Sequence, residues 1–352
     1  MTHVAIIGAG PAGLATAACL AERGVPFTVL ERGDAPFAAL AQLDPEMQLL
    51  TPGHFSRLPG MKPRPGDPTY ARFGDVVERF QAWRSALGLA ITSNAVVDRI
   101  ERDGASYVVH YTLGGDHREL RASHVVSATG IISHPQLPSD FAPERSALPW
   151  QHALTVRSDV LARAERLVVV GAGMSAAEVI ERWLVVGAPG ARAWLSSRSP
   201  IKAVPQRILG IDLHWFLSPV QRAPGRLLGR RIGPERDLII GRTILRALRD
   251  DRVTQVGPVV RYERDSVVVE PDVRLTPDLL VFATGYRYAV DHLRDLVVLD
   301  DHGHPIVDRH SASVRAPNLY VLGLRYGRSV RSSAIAGICD DARHVARRIA
   351  AA

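Results

Sequence analysis

Apolar residues near the start of the chain come in short unbroken runs that a glycine-rich stretch separates. Residues 3–8 read HVAIIG, residues 9–24 are alanine-rich and typical of a helix, and a second apolar run, FTVLE, covers residues 27–31. Unbroken runs of Val, Ile and Ala are typical of strands buried on both faces, as in a parallel sheet. The pattern therefore predicts a strand, a glycine turn, a helix and a second strand.

The pattern changes over residues 34–68, which are dense in Pro and Gly. A connector of this length is unusual, which suggests that the stretch covers a cofactor or faces a substrate. Residues 70–88 then show helical spacing, and alternating apolar and polar positions over residues 96–130 predict strands.

Two segments of the chain resemble each other and indicate an internal repeat. Val96–Gly130 and Val259–Gly285 have similar apolar patterns, each follows its own glycine-rich strand–helix unit, and each ends in Ala-Thr-Gly. Two related nucleotide-binding modules are therefore expected. The simplest arrangement is a second module inserted into the first. It gives a discontinuous domain of residues 1–152 and 278–352 and a contiguous domain of residues 153–277.

The first glycine turn, GAGPAG at residues 8–13, has the spacing of a dinucleotide-binding turn. Gly8 allows the tight turn, Gly10 lets a pyrophosphate approach the backbone, and Gly13 lets the helix pack closely on the strand. The start of the helix presents free N–H groups and a positive dipole end to the phosphates. Glu31 ends the second strand, where a carboxylate binds ribose hydroxyls. This combination predicts a site for an unphosphorylated ribose, as in FAD.

The second glycine turn, GAGMSA at residues 171–176, has alanine in the third position. Its second strand ends in Ser196, Ser197 and Arg198 instead of an acid. A carboxylate would repel a 2′-phosphate, whereas an arginine and hydroxyl groups accept one. We therefore expect NADPH rather than NADH; the alternative is a surface arginine at a strand end. Two dinucleotides in one chain imply hydride transfer from nicotinamide to flavin.

Composition narrows the class of protein. The 352 residues suffice for two domains, and no apolar stretch reaches the roughly 18–20 residues that span a bilayer. The start lacks the features of a secretory signal, so we expect a cytoplasmic protein with no membrane partner. The net charge of +7 comes from scattered arginines, denser in Gly225–Asp250. They favour a solvated helical surface, or else an acidic carrier protein as partner, over nucleic acid. Cys19 and Cys339 form no CxxC pair and are expected to be buried.

Several stretches carry a resemblance to a known family. With both glycine turns and Glu31, the chain resembles the flavin-containing monooxygenases and their auxin-forming plant relatives. The other stretches that carry the resemblance are TPGHFSRLPG (51–60), ATGIISHPQLP (128–138), the segment 196–219, VFATGYR (281–287) and SSAIAGICDDA (332–342). The resemblance covers nearly the whole chain. It implies an α/β fold of two Rossmann-like dinucleotide-binding domains, as in glutathione-reductase-like flavoproteins. The NADPH-binding domain, 153–277, would be inserted into the FAD-binding domain, 1–152 and 278–352.

The resemblance also implies which residues bind the cofactors. FAD contacts are expected from Gly8, Gly10, Pro11, Ala12, Gly13, Glu31, Arg32, Thr129, Gly130, Gly323 and Ser333. NADPH contacts are expected from Gly171, Gly173, Met174, Ser175, Ala176, Ser197, Arg198, Thr284 and Gly285. The helix that begins near Ser333 is expected to point its amino-terminal end at the flavin, where its dipole would stabilise the reduced, anionic ring. No metal site is expected.

The activity that the resemblance implies is that of a single-component monooxygenase. NADPH would reduce FAD, O2 would add to give a C4a-hydroperoxyflavin, and one oxygen atom would pass to a small molecule by N- or S-oxygenation or a Baeyer–Villiger step. The catalytic side chains are not identified. The residues proposed to shape the pocket are His54, Arg57, Arg325, Tyr326 and Ser333.

The chain departs from the family pattern at two positions. The monooxygenase fingerprint has Phe-x-Gly, then His, then an aromatic residue, but this chain has only His152 in LPWQHALTV. Met174 stands where the family often has Asn. A second hypothesis therefore stays open, an NADPH-dependent reductase or dehydrogenase that passes electrons to a small disulfide, a quinone or a partner protein. A homodimer stays open as well.

Overall fold

The computed structural model describes residues 2–132, 134–201, 203–225, 239–241 and 244–352. Most of the arginine-rich zone Gly225–Asp250 lies outside the described residues, so its interpretation as a solvated helical surface stays a prediction. Among the helices that are described, none is long and apolar enough to cross a membrane.

The secondary structure of the described residues consists of α-helices, three 3-10 helices and β-strands. The α-helices are α1 (Pro11–Ala21), α2 (Ala38–Ala41), α3 (Phe73–Ala86), α4 (Ser158–Leu161), α5 (Met174–Val186), α6 (Leu213–Gln221), α7 (Ile244–Ala247) and α8 (Ile335–Ala350). The 3-10 helices are Gly53–Phe55, Pro143–Arg145 and Asp291–Leu296. The strands are β1 (Val4–Ile7), β2 (Phe27–Leu30), β3 (Ala95–Asp103), β4 (Ser106–Leu113), β5 (Asp116–Ala122), β6 (His124–Ser127), β7 (His134–Pro135), β8 (Trp150–His152), β9 (Arg166–Val170), β10 (Arg192–Ser196), β11 (Ala203–Pro205), β12 (Arg207–Ile208), β13 (Ile211–Asp212), β14 (Ile239–Gly241), β15 (Val253–Val256), β16 (Val259–Tyr262), β17 (Val267–Val269), β18 (Val273–Leu275), β19 (Leu279–Phe282), β20 (Tyr286–Arg287), β21 (Val298–Leu299), β22 (Pro305–Ile306) and β23 (Leu319–Val321).

The first unit is a parallel sheet in the order β2-β1-β6-β23, with the three antiparallel strands β3, β4 and β5 beside it. All four residues of β1 are buried, as the unbroken apolar run predicts. Val4 and Ile6 belong to a core that includes residues of α1 and α8, whereas Ala5 and Ile7 share a core with residues of β3 and β4. Because the side chains of a strand point alternately to its two faces, β1 contributes to the cores on both sides of the sheet.

The second unit repeats this plan. Its parallel sheet has the order β15-β10-β9-β19-β8, and β16, β17 and β18 form its three-stranded antiparallel sheet. Leu167 and Val169 of β9 share a core with residues of α5, whereas Val168 shares a core with Val267 and Val269 of β17. The internal repeat read from the sequence is therefore present in the fold.

The boundaries between the units differ from those expected. Strand β8 pairs with β19, and β19 pairs with β9, so Trp150–His152 and Leu279–Phe282 both belong to the second sheet. The expected boundaries at 152 and 278 place these two strands in the first unit. The reason for the difference is that the strand before each Ala-Thr-Gly pairs with the first strand of its own module, β6 with β1 and β19 with β9, and β8 in turn pairs with β19.

The chain passes between the units along a two-stranded ribbon. Strand β7, on the way into the second unit, pairs antiparallel with β20, on the way back. The threonine of each Ala-Thr-Gly forms a hydrogen bond with the other connecting segment. The Thr129 hydroxyl donates to the carbonyl of Ala289 (2.8 Å), and the Thr284 hydroxyl donates to the carbonyl of Gln136 (2.5 Å). The two Ala-Thr-Gly motifs thus tie the units together.

Candidate functional site

The first glycine turn combines two crowded glycines with one open one. Gly8 has a φ of +102°, and a Cβ there would lie 2.7 Å from the carbonyl oxygen of Ala128. A Cβ on Gly13 would lie 1.9 Å from the carbonyl oxygen of Gly8. At Gly10, the N-cap of α1, a Cβ would meet no described atom within 4 Å other than those of its chain neighbours. Gly8 and Gly13 therefore shape the turn, and Gly10 leaves the start of α1 accessible to a ligand.

The second glycine turn has the same geometry. Gly171 has a φ of +129°, and a Cβ there would lie 2.3 Å from the carbonyl oxygen of Ala283, the alanine of the second Ala-Thr-Gly. Gly173, at the N-cap of α5, leaves its Cβ position as open among the described atoms as Gly10 does. Ala176 in the third position is fully buried. Both turns are thus built around the alanine of an Ala-Thr-Gly motif.

Glu31 is held in place by the backbone around the first turn. Its Oε2 accepts a hydrogen bond from the N–H of Ala9 (2.6 Å), and its Oε1 accepts one from the N–H of Gly33 (2.8 Å). The side chain lines the cavity described below. A carboxylate offers about four lone-pair positions, so both oxygens can still accept hydroxyl protons from a ribose.

A cavity of about 810 Å³ is lined by residues of both units. This volume lies in the range of roughly 300–1,000 Å³ that is usual for ligand sites. The long irregular stretch contributes Met47–Thr51, as its unusual length suggested. The predicted flavin-site residues that line the cavity are Gly8, Gly10, Pro11, Ala12, Glu31, Arg32, Thr129, Gly130, Gly323 and Ser333. Met174 and Ser175 reach the same cavity from the second turn, so it lies where the two predicted dinucleotide sites meet.

Helix α8 begins at this cavity. Ser333, its N-cap Ala334 and Ile335 all line the cavity, and α8 runs on for 16 residues. The free N–H groups and the positive dipole end of the helix therefore face the cavity, in which the sequence predicts the flavin.

The other predicted residues lie outside this cavity. Gly13 is packed under the first turn. The remaining residues of the predicted NADPH site do not line the cavity; they are Gly171, Gly173, Ala176, Ser197, Arg198, Thr284 and Gly285. All of them belong to the second turn, to the end of β10 or to the second Ala-Thr-Gly.

The end of β10 differs from the expected arrangement of two hydroxyls and an arginine. The Ser196 hydroxyl is buried and donates to the carbonyl of Gly257 (2.9 Å), so it is used within the fold. The Ser197 hydroxyl accepts a hydrogen bond from the Gln255 side chain (2.8 Å) and keeps its own proton to donate. Arg198 is exposed. At the end of β10, among the residues that the structure describes, Arg198 and the Ser197–Gln255 pair are therefore left to bind the predicted 2′-phosphate.

Replacement of Arg198 by alanine tests this interpretation. We expect the Kd for NADPH to rise about 10- to 100-fold, because a hydrogen bond to a charged group is worth about 1.5–3 kcal/mol. The Kd for NADH, which lacks the 2′-phosphate, is expected to change less than about twofold. Fluorescence titration measures both constants, with Arg163→Ala on the exposed surface as the matched control. Equal losses for the two nucleotides would contradict the assignment.

Of the five pocket candidates, only Ser333 lines the cavity. The exposed ring of His54 stacks on Trp215 of α6, with ring centroids 4.9 Å apart. The Arg57 carbonyl accepts a hydrogen bond from the Cys339 thiol (3.3 Å). The Arg325 guanidinium lies over the ring of Tyr326, whose φ is +53°. These four residues therefore do not line this cavity, and the expectation that His54, Arg57, Arg325 and Tyr326 shape a substrate pocket stays a prediction. Their segments are irregular, and long-range contacts determine which of their side chains face inwards.

Both cysteines are buried thiols. Burial raises the pKa of Cys19 to about 11 and that of Cys339 to about 12, so both carry their protons at neutral pH. A redox disulfide between protonated, buried thiols is disfavoured.

Among the residues of the site that were not singled out in the sequence are Glu178, Tyr286 and Gln255. Glu178 and Tyr286 line the cavity, and Gln255 positions Ser197. Two of them carried a usable signal, because Glu178 follows Met174 by one helical turn and Tyr286 follows directly after the second Ala-Thr-Gly. Gln255 lies on β15, and only the pairing of that strand with β10 brings it to the site.

Comparisons with known proteins agree with this geometry. Residues 5–188, more than half of the chain, match the family described as pyridine nucleotide-disulphide oxidoreductase. The chain is 29% identical to indole-3-pyruvate monooxygenase YUCCA1 of Oryza sativa subsp. japonica, with 98% of this chain and 90% of that protein covered. It is 31% identical to probable indole-3-pyruvate monooxygenase YUCCA1 of Arabidopsis thaliana, with 80% and 75% covered.

Solved structures show the same fold. The flavin-containing monooxygenase from Stenotrophomonas maltophilia matches with a TM-score of 0.79 at 21% identity, over 100% of this chain and 99% of that one. The bacillithiol disulfide reductase from Bacillus cereus matches with a TM-score of 0.77 at 17% identity, over 99% of both chains. At these identities the likeness shows a dinucleotide-binding α/β flavoprotein fold that serves more than one reaction.

Proposed function

Because the chain belongs to the pyridine nucleotide-disulphide oxidoreductase family, as a flavoprotein similar to the flavin-containing monooxygenases, we propose that it is an NADPH-dependent, FAD-containing monooxygenase of small molecules. One observation carries the proposal. A single cavity is lined by Gly10 and Glu31 of the first turn and by Met174 and Ser175 of the second. Two dinucleotides bound at the two turns would bring their reactive rings together there.

The residues of the first unit fit FAD. The open position at Gly10 and the start of α1 suit a pyrophosphate, and Glu31 suits the ribose hydroxyls of the adenosine. The start of α8 suits the negative charge of a reduced flavin ring. Bound FAD supplies electron transfer and oxygen activation.

The chain itself supplies orientation and exclusion of water. The cavity wall is largely apolar, with Phe37, Leu49, Val97 and Ile131 among its members. Such a wall keeps water from a reactive centre and strengthens the electrostatic effect of the α8 dipole. In the second unit, Gly173 suits the pyrophosphate of NADPH and Arg198 its 2′-phosphate.

The second candidate is an NADPH-dependent reductase of a small disulfide. The fold shared with the bacillithiol disulfide reductase favours it. The two protonated, buried cysteines argue against a dithiol relay in this chain, so a reductase of this kind would have to act directly from the flavin.

Rapid mixing distinguishes the two candidates. The protein is reduced with NADPH, mixed with O2 and followed by stopped-flow absorbance. For a monooxygenase we expect a transient absorption at about 370–390 nm, distinct from that of oxidised flavin. Direct return of the oxidised spectrum with release of peroxide would contradict the proposal. A panel of amines, thioethers and ketones then identifies the substrate class by product formation coupled to NADPH consumption.

A further inference from the structure

One arginine is shared by two carboxylates beside the cavity. The Arg182 Nη1 lies 2.6 Å from Asp44 Oδ2, and its Nε lies 2.6 Å from Glu178 Oε1. Asp44 precedes α3 in the first unit, whereas Glu178 and Arg182 lie on α5 in the second. The side chains of Asp44 and Arg182 are only 3% and 10% exposed. Two carboxylates therefore share the single positive charge of one buried arginine where the two units meet.

Asp44 is the better stabilised of the two carboxylates. Its Oδ2 also accepts a hydrogen bond from the N–H of Ser158 (2.5 Å), and its Oδ1 accepts one from the N–H of Glu46 (2.9 Å). Burial opposes the ionisation of Asp44, but these hydrogen bonds and the charge of Arg182 outweigh it and lower its pKa. The negative charge of Glu178 is therefore the one that stays incompletely compensated.

Glu178 faces the cavity at its second-unit end. It lies on α5 with Met174 and Ser175, and all three line the cavity together with Tyr286. Among the described residues, the charged groups that act on it are Arg182, Asp44 and Glu181, and Tyr286 is a neutral phenol whose pKa is raised by burial. Burial raises the pKa of Glu178 to about 7 despite Arg182. A positive charge inside the cavity would complete the neutralisation of this carboxylate.

We propose that Glu178 senses the oxidation state of the nicotinamide, because it keeps its proton beside a neutral ring and releases it beside a cationic, oxidised ring. The inference rests on the proposed function, since it requires NADP(H) at the second turn. Proton release from the Glu178 carboxyl to solvent leaves a carboxylate that pairs with the cation. NADP+ would thus be retained more tightly than NADPH when the pH rises, although their phosphates are identical.

The ratio of the Kd values for NADPH and NADP+ at pH 6 and pH 8 tests the inference on the FAD-loaded protein, reduced beforehand with dithionite without oxygen so that NADPH binds without transferring a hydride. A carboxyl that titrates near pH 7 predicts that NADP+ gains about tenfold over NADPH between these pH values. The ratio removes the titration of the 2′-phosphate, which both nucleotides share. Glu178→Gln should keep the ratio constant within about twofold, whereas the exposed control Asp159→Asn should titrate like the parent.

Calorimetry supplies a second measurement. Heats of NADP+ binding at pH 7 in buffers of different ionisation enthalpy should show release of about half a proton per site in the parent and none in Glu178→Gln. A parent ratio that does not change with pH, or an equal change in Glu178→Gln, would overturn the inference while NADPH still reduces the flavin. A parent that binds neither flavin nor NADP+ would overturn this inference and the proposed function together.

Discussion

Valine in place of Gly10 is expected to give a folded, colourless protein, whereas valine in place of Gly173 is expected to give a yellow protein that NADPH no longer reduces. In both turns the Cβ position of the middle glycine is open among the described atoms, and its backbone is extended, with φ of −78° at Gly10 and −96° at Gly173. A branched side chain is therefore tolerated by the fold but fills the space that a pyrophosphate needs at the start of the helix.

The two variants are controls for each other. We expect the affinity of Gly10→Val for FAD to fall by more than about 100-fold, because several backbone hydrogen bonds to a charged group are lost together. Gly173→Val should keep its flavin and lose NADPH affinity by a similar factor. The flavin absorbance of the purified protein, NADPH titration and thermal melting separate ligand loss from unfolding. If Gly10→Val retained FAD, or if NADPH still reduced the flavin of Gly173→Val rapidly, the assignment of the two turns would lose its basis.

Alanine in place of Asp44 is expected to lower the free energy of unfolding by about 3–5 kcal/mol at pH 7, since breaking a buried ion pair leaves its partner uncompensated. Asp44 joins the units through Arg182 and Ser158, and its loss leaves the N–H groups of Ser158 and Glu46 without this acceptor. Urea denaturation followed by tryptophan fluorescence measures the difference. Asp159→Ala, which breaks an exposed pair with Arg163, should cost less than about 1 kcal/mol.

The sign of the pH dependence follows from the lowered pKa of Asp44. A carboxyl whose pKa is lower in the folded state stabilises the protein above its unfolded pKa, about 3.9, and loses this contribution as the pH falls through its folded pKa. The difference between parent and Asp44→Ala should therefore be complete at pH 5 and shrink below pH 4. A loss no larger than that of Asp159→Ala would show that the junction does not depend on this carboxylate.

The parts of the fold that could be predicted from sequence are those fixed by local chemistry. The strand Val4–Ile7, the turn at Gly8 and the start of α1 follow from residues close in sequence, because positive φ values and close packing require glycine there. The Ala-Thr-Gly repeat is also recognisable from sequence, because its three residues are adjacent in the chain. Both motifs place a small alanine against the first glycine of a turn.

The parts that could not be predicted depend on contacts between distant residues. The sheet to which β8 and β19 belong is decided by their pairing across more than a hundred residues, so the boundaries were misplaced. Residues 34–68 have no period that shows which side chains face inwards. In the fold, the Gln206 side chain binds the Leu50 carbonyl (2.5 Å), and Met47–Thr51 rather than His54 face the cavity. The Asp44–Arg182 pair, 138 positions apart, gives no local signal at all.

The ribbon of β7 and β20 has an evolutionary consequence. Pro135 and Tyr286 are partners in neighbouring strands, which lie about 5 Å apart. A duplicated gene segment could therefore enter the ancestral chain at one point without stretching it, because the two ends of the insert meet. The same proximity lets a relative's second unit be joined at this point, provided that it also supplies a partner for Asp44.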